Sequence, residues 1–350
     1  MRSAWRGLRG EANIRSRGFR RCRGERVSAR LAAILPSAPD FRLRLSPARL
    51  LPCLLGLLAA FGASAPAQAE DPHVLVLGRI SDDPKAHYEQ LKPLLDYVVP
   101  RMADVGITEG RILMARDLQQ MGSYLRRGRV DWVTETSANA MRLQDRDGAQ
   151  PLLLTERNGA REYRTLVFVR ADSGITSLDG LLGRSVAFQD TSSTSAYVVP
   201  AIMLLERRLP LQVLLSPMDR PDPRSVGYVF ARSESNIATW VHKRLVDAGT
   251  ISNLDWDNQR RIPLSYRDDF RIIAQSPAYP RALEMVRGDL DARIRQRLRE
   301  VLLEAGNDPD AREALLEFFG TTRFLPIEAG TTRSLDSLRG GVARVRAEVE

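Results

Sequence analysis

The chain has 350 residues, with 52 Lys and Arg against 43 Asp and Glu, a formal charge of +9 at pH 7. The excess is local: residues 1–69 hold thirteen Arg, no Lys and three acids (Glu11, Glu25, Asp40), leaving 39 bases and 40 acids for the remainder. A basic leader on a neutral body gives no argument for a nucleic-acid partner. Both cysteines, Cys22 and Cys53, also lie in the leader, which excludes disulfides, thiol nucleophiles and cysteine metal sites from the rest.

Residues 50–63 form an apolar run behind Arg49, too short to span a bilayer comfortably. Ala67-Gln68-Ala69 follows as a small-residue cleavage motif. The pattern predicts a secretory signal peptide cut after Ala69, leaving Glu70 as the first residue of a periplasmic protein. No Met lies between Met1 and Met102, so translation is expected to start at a non-Met codon such as Val27; residues 1–26 are otherwise a basic tail. Pro52 stands where a lipoprotein signal needs a small residue before Cys53, so no lipid is expected. No later segment is long and apolar enough to cross a membrane. The remainder, roughly 280 residues, suits two domains.

His73-Val74-Leu75-Val76-Leu77-Gly78 predicts a buried strand, with its loop over 78–84. An amphipathic helix over 85–104 follows, with Tyr88, Leu91, Leu94, Leu95 and Val98 on one side and Pro93 and Pro100 dividing or ending it. Strand 111–115, helix 118–126 closed by Gly128, strand 130–134 and a helix from Ser137 come next. This alternation implies a parallel sheet flanked by helices. Strands over 151–155 and 163–169, a turn and short helix within 172–182, and a strand over 185–188 lead to a helix over 196–209. Strands 211–215 and 226–230, helix 233–245 and strand 247–251 follow. The last strand expected is 270–274. Beyond it the chain reads as helical: 290–305, 311–319 and a tail helix from Ser334, whose Leu338, Val342 and Val345 are expected to pack on its own lobe.

Between the strand at 185–188 and its helix lie five hydroxyl residues, Thr191-Ser192-Ser193-Thr194-Ser195. A helix N-terminus leaves N–H groups unpaired and carries the positive end of the helix dipole. Hydroxyls there either cap the helix or join the N–H groups in holding an oxyanion. One suffices for a cap, and five exceed that need.

Other polar groups gather at strand-to-helix junctions, where open α/β sheets bind ligands. They are Arg79 and Ser81; Thr134, Glu135, Thr136 and Ser137; Ser233, Glu234, Ser235 and Asn236; and Ser252, Asn253 and Asp255. Such a lining suits a small hydrated oxyanion. Each also has a plain structural reading: Ser233 as a cap, Glu135 as a first-turn acid, Asn253 as a turn residue. His73, His87 and His242 have no metal-ligand partner at useful spacing, and no Gly-x-Ser-x-Gly, HExxH or Walker loop is present. No metal, cofactor or catalytic residue is therefore expected.

These residues resemble the periplasmic binding proteins of phosphate, phosphite and phosphonate ABC transporters across nearly all of residues 73–327. The best motif is Ala187-Phe188-Gln189-Asp190-x-Ser192-Ser193-Thr194-Ser195-(x)4-Pro200, similar to the family's Phe-x-Asp-x-x-Ser-Thr-Ser-Gly-(x)3-Pro. Further matches are Val130-Asp131-Trp132-Val133-Thr134-Glu135-Thr136, Val246-Asp247-Ala248-Gly249 and Ile273-Ala274-x-Ser276-Pro277-x-x-Pro280. The resemblance implies an α/β fold of two lobes (the type II periplasmic-binding-protein fold), each a mostly parallel sheet flanked by helices, with the chain crossing twice between them. It places lobe 1 at 70–164 and 263–327, lobe 2 at 165–262 and a tail helix at 328–350. It also implies a small anionic ligand in the cleft and a permease partner, with Ser193, Thr194 and Ser195 matching the family's phosphonate-gripping Ser-Thr-Ser.

With Ser192, Arg79, Glu135, Thr136, Ser233 and Asn253, these are the expected ligand residues of a monomeric solute-binding protein. The pattern also departs from the family's. Ala196 stands where the family has Gly, and Ser233 and Glu234 stand where its phosphonate binders carry a His. Polar residues around Glu135 replace a Tyr. A Glu facing a dianion repels it unless one of the two is protonated, so phosphonates, phosphite-like monoanions and other small solutes stay open. A sensor working with a separate signalling partner is the alternative role; an enzyme would need a base near Ser193, which the sequence does not supply.

Overall fold

The computed structural model describes residues 73–350. The leader, its cleavage point and both cysteines lie outside the described residues. The strands are β1 (Val74–Ile80), β2 (Glu109–Ala115), β3 (Trp132–Glu135), β4 (Gln150–Arg157), β5 (Glu162–Tyr163), β6 (Thr165–Arg170) and β7 (Ser185–Phe188), followed by β8 (Leu211–Val213), β9 (Val226–Phe230), β10 (Ala248–Ser252), β11 (Phe270–Gln275), β12 (Tyr279–Pro280), β13 (Leu283–Val286) and β14 (Thr321–Leu325). The α-helices are α1 (Pro84–Val98), α2 (Leu118–Arg126), α3 (Ser137–Asp147), α4 (Val199–Glu206) and α5 (Glu234–His242), then α6 (Asn253–Trp256), α7 (Leu264–Arg267), α8 (Ala292–Ala305), α9 (Arg312–Glu317) and α10 (Ala329–Glu348). No helix among the described residues is long and apolar enough to cross a membrane.

Two six-stranded sheets organise the chain, in the orders β14-β4-β13-β3-β1-β2 and β11-β6-β10-β7-β9-β8. In the first, β1 runs parallel to β2 and β3, while β13 lies antiparallel between β3 and β4. In the second, β7, β8, β9 and β10 run parallel, and β6 lies antiparallel between β10 and β11. The inner parallel strands are mostly apolar because helices cover both faces. The chain crosses between sheets after Arg157 and again after Gln275, and the two crossings pair as a short antiparallel ribbon, Tyr163 opposite Tyr279.

The second sheet thus runs to Gln275, past the return expected after residue 262. Phe270 explains this: its ring packs 4.9 Å from Phe168 of β6, and β11 pairs with β6 along its length. Three strands follow where only helices were expected, β12, β13 and β14. The sequence Leu283-Glu284-Met285-Val286 is short and carries three good helix formers, so neither period nor propensity marks it as a strand. The tail helix starts at Ala329, five residues before Ser334 and one inside the 328–350 segment that the resemblance implies, and packs against α3 of the first lobe, α4 of the second and β12 between them. Its Leu335, Leu338, Val342 and Val345 share one buried cluster with Met141 and Leu143 on one side and Tyr197, Val198 and Leu205 on the other.

Each sheet also has its own core. Leu75, Leu77, Trp132 and Phe318 pack with α1 and α8 against the first, and Phe168, Val229, Ile237 and Ile251 fill the second. Gly249, second residue of β10, lies against that second core. A Cβ there would come 2.6 Å from the Ile237 Cγ2 and 2.8 Å from the Phe168 ring. Gly249→Val is expected to destabilise the protein by about 1–3 kcal/mol, as overpacking does, read as a lowered midpoint in urea with an unchanged slope.

Candidate functional site

Because β13 is antiparallel to both β3 and β4, the ends of β1, β3 and β4 share one edge of the first sheet. That edge carries Arg79, Glu135 and Arg157. The ends of β7, β9 and β10 form an edge of the second sheet, followed by the hydroxyl run, Ser233 and Asn253. The two edges meet at Thr194. Its hydroxyl accepts the Ala138 N–H of α3 at 3.0 Å, and Thr194 is 2 % exposed. The nominal cap of α3, Thr136, makes no side-chain capping bond, so a hydroxyl from the other lobe supplies it.

Thr194 reaches that position through an unusual turn. Residues Thr194–Val198 form one π-helical turn, with Val198 N–H donating to the Ser193 carbonyl at 3.0 Å. Single π turns of this kind concentrate at functional sites. Ser193 caps the turn by accepting from Ala196 N–H at 3.1 Å. Ser192 is exposed, and its hydroxyl donates to Asp190 Oδ1 at 2.5 Å. Ser195 is half-buried, and its carbonyl accepts the Thr165 hydroxyl at 2.8 Å. Ser233 caps α5 through Asn236 N–H at 3.2 Å. Asn253 pairs with the Arg164 backbone in both directions, accepting at Oδ1 over 2.7 Å and donating its own N–H over 2.9 Å, so it pins the first crossing.

In the first lobe the expected residues converge. Arg79 Nη1 lies 3.8 Å from Glu135 Oε1 and donates to the Thr134 carbonyl at 3.3 Å. Glu135, 3 % exposed, accepts from Thr136 N–H at 3.2 Å and from the Asn139 amide at 3.1 Å. Arg157, unmarked in the sequence reading, completes the group. Its Nη2 donates to the Thr134 hydroxyl at 2.8 Å. Burial, with Arg281 nearby, pushes its pKa down to about 10, so the guanidinium keeps its charge at neutral pH. Phe319 receives both cations, with Arg79 and Arg157 4.7 and 4.8 Å from its ring centroid. Its φ of 57° is a left-handed backbone rare for an aromatic residue. Such strain at a half-buried ring fits a functional constraint.

Four of these first-lobe residues, Arg79, Thr136, Asn139 and Arg157, each hold a buried side-chain polar atom with no hydrogen-bond partner. Buried polar atoms are ordinarily satisfied, so a cluster of exceptions marks a place built for something else to bond. The unpartnered donors are two guanidinium N–H groups and a hydroxyl; the open atom of Asn139 is its Oδ1, an acceptor, so the donor set available to an anion is those three, with one carboxylate beside them. That set can hold an oxyanion by charge-assisted hydrogen bonds. The signal that could have found Arg157 is the charged Glu156-Arg157 pair closing an apolar strand.

A family model for the periplasmic substrate-binding protein of phosphonate ABC transporters matches residues 78–331. Among solved structures, XAC2383 from Xanthomonas citri bound to chloride ion is 54% identical, with a TM-score of 0.76 over 79% of this chain and 100% of that one. The same protein bound to ATP matches at 53% identity, with the same TM-score and coverage. PhnD1 from Prochlorococcus marinus in complex with methylphosphonate shares the fold at 16% identity and a TM-score of 0.56, over 80% of this chain and 100% of that one.

Thr194→Val removes the acceptor for Ala138 N–H and strands a buried donor. It is expected to lower the stability of the unliganded protein by about 1–3 kcal/mol, measured by urea denaturation, with Thr194→Ser restoring most of the loss.

Proposed function

The chain belongs to the family of periplasmic substrate-binding proteins of phosphonate ABC transporters, and from that membership we propose that it is a secreted, monomeric receptor that captures a phosphate-bearing anion between its lobes and presents it to a membrane permease. Residues 1–69 are the leader removed on export. Lobe 1 comprises residues 74–157 and 283–325, lobe 2 residues 165–275, and the crossings between them act as hinges. The protein's work is binding, with no covalent step.

The unsatisfied donors of Arg79, Thr136 and Arg157 carry this reading. The two arginines supply the charge, and planar guanidiniums fit phosphate oxygens two at a time. Ser193 and Ser195 close on the ligand from the second lobe. Glu135 neutralises part of the charge at Arg79, which limits the attraction that Arg79 exerts on an anion. Within the phosphate-bearing class we favour a nucleotide. The relative 53% identical over its whole chain has been solved with ATP, and Arg79, Arg157 and Arg281 suit a polyphosphate. A small phosphonate is the second reading, favoured by the Ser193-Thr194-Ser195 motif.

A thermal-shift series with ATP, methylphosphonate, inorganic phosphate and sulfate tests both readings. A ligand at a hundred times its Kd stabilises by about 2.7 kcal/mol. ATP is expected to give the largest shift, and Arg79→Ala to abolish it. A methylphosphonate shift exceeding that of ATP favours the second reading, and no shift with any of the four overturns the anion assignment.

A further inference from the structure

Thr134 is the penultimate residue of β3 and is wholly buried, yet both cations of the site hang from it. Its carbonyl accepts from Arg79 at 3.3 Å, and its hydroxyl accepts from Arg157 at 2.8 Å. A threonine hydroxyl has one hydrogen to donate. Here that hydrogen goes to Glu284 Oε1, 2.8 Å away on the neighbouring strand β13. Glu284 is itself wholly buried and takes two more donors, the Thr155 hydroxyl at 2.5 Å and Trp132 Nε1 at 2.5 Å.

The direction of this chain matters. Because Glu284 takes the hydroxyl hydrogen, the lone pairs of the Thr134 oxygen are left facing the guanidinium. Without that acceptor the hydroxyl could rotate and point its hydrogen at Arg157. The guanidinium is held on its other side by the Phe319 ring. We infer that Thr134 and Glu284 are positioning residues of the anion site: Glu284 orients the Thr134 hydroxyl, and the hydroxyl aims Arg157 at the phosphate. Neither touches the ligand. The inference rests on the anion-binding reading above and names how that site is held.

Calorimetric titration with ATP of the wild type, Thr134→Val, Thr134→Ser, Arg157→Gln, the Thr134→Val/Arg157→Gln double variant and Glu284→Met tests it. Thr134→Val keeps the carbonyl that holds Arg79 and removes only the hydroxyl. It is expected to weaken ATP binding about tenfold, while Thr134→Ser binds within about twofold of the wild type. Since the hydroxyl acts through Arg157, the double variant is expected to bind no more weakly than Arg157→Gln alone. A general structural role would not produce that non-additivity. Glu284→Met is expected to weaken ATP as Thr134→Val does; if it folds and binds as the wild type, the carboxylate has no positioning role. Wild-type affinity in Thr134→Val, or additive losses in the double variant, overturns the inference and leaves the anion reading standing. A wild type that binds neither ATP, methylphosphonate nor phosphate overturns both.

Discussion

A carboxylate buried in the middle of a sheet sets the terms for the first lobe. Glu284 is wholly enclosed, and enclosure raises its pKa by penalising the charged form. An unpaired charge at such depth is costly enough that the fold must supply partners. It supplies Trp132, Thr134 and Thr155, two donors from β3 on one side and one from β4 on the other. Those three side chains are thereby committed, and so is the register of β13 between β3 and β4. Arg157 is tolerated in the same interior because this acid and Glu135 lie near it. The cations at this edge of the first sheet are thus the outer end of a polar network whose inner end is a structural strand.

The contact between lobes follows a different logic. A helix N-terminus needs acceptors, and α3 finds one across the cleft in Thr194 rather than in its own cap residue. The π turn spends one extra residue to bring that hydroxyl into line. The hydroxyl run therefore divides its work: Thr194 joins the lobes, Ser193 caps its own turn, and Ser192 stays at the surface with Asp190. Five hydroxyls in a row are more than one cap requires because they serve several backbone and interlobe bonds at once.

The sequence made the parallel half of each sheet legible. Helix 118–126 and strands 185–188 and 226–230 end where the structure ends them, because apolar runs bounded by Gly, Asp or Ser are local signals. What it concealed depends on distant pairing. Leu283-Glu284-Met285-Val286 becomes a strand only because two strands from elsewhere in the chain flank it, and its glutamate looks like a solvent-facing residue until Trp132 and two threonines are placed around it. Arg157 was hidden for the same reason: nothing near it in sequence shows that Thr134 and Phe319 will enclose it. The convergence of Arg79, Glu135 and Thr136 was readable from their position at strand ends. Ser233 and Asn253 occupy such positions too, and the bonds they make are a helix cap and a backbone staple.

The insertion of β13 has a kinetic side. The strands of the second lobe follow one another without interruption from Thr165 to Gln275, so that sheet can assemble from contiguous chain. The first sheet cannot: with β13 absent, β3 and β4 have no ladder between them. Closing that gap joins residues separated by the whole of the other lobe, a loop-closure cost that slows folding as sequence separation grows. The expected order of assembly is therefore the later-starting lobe first. The N-terminal strands stay incomplete until the returning segment threads between them, and α10 seals the cluster shared by both lobes only after that.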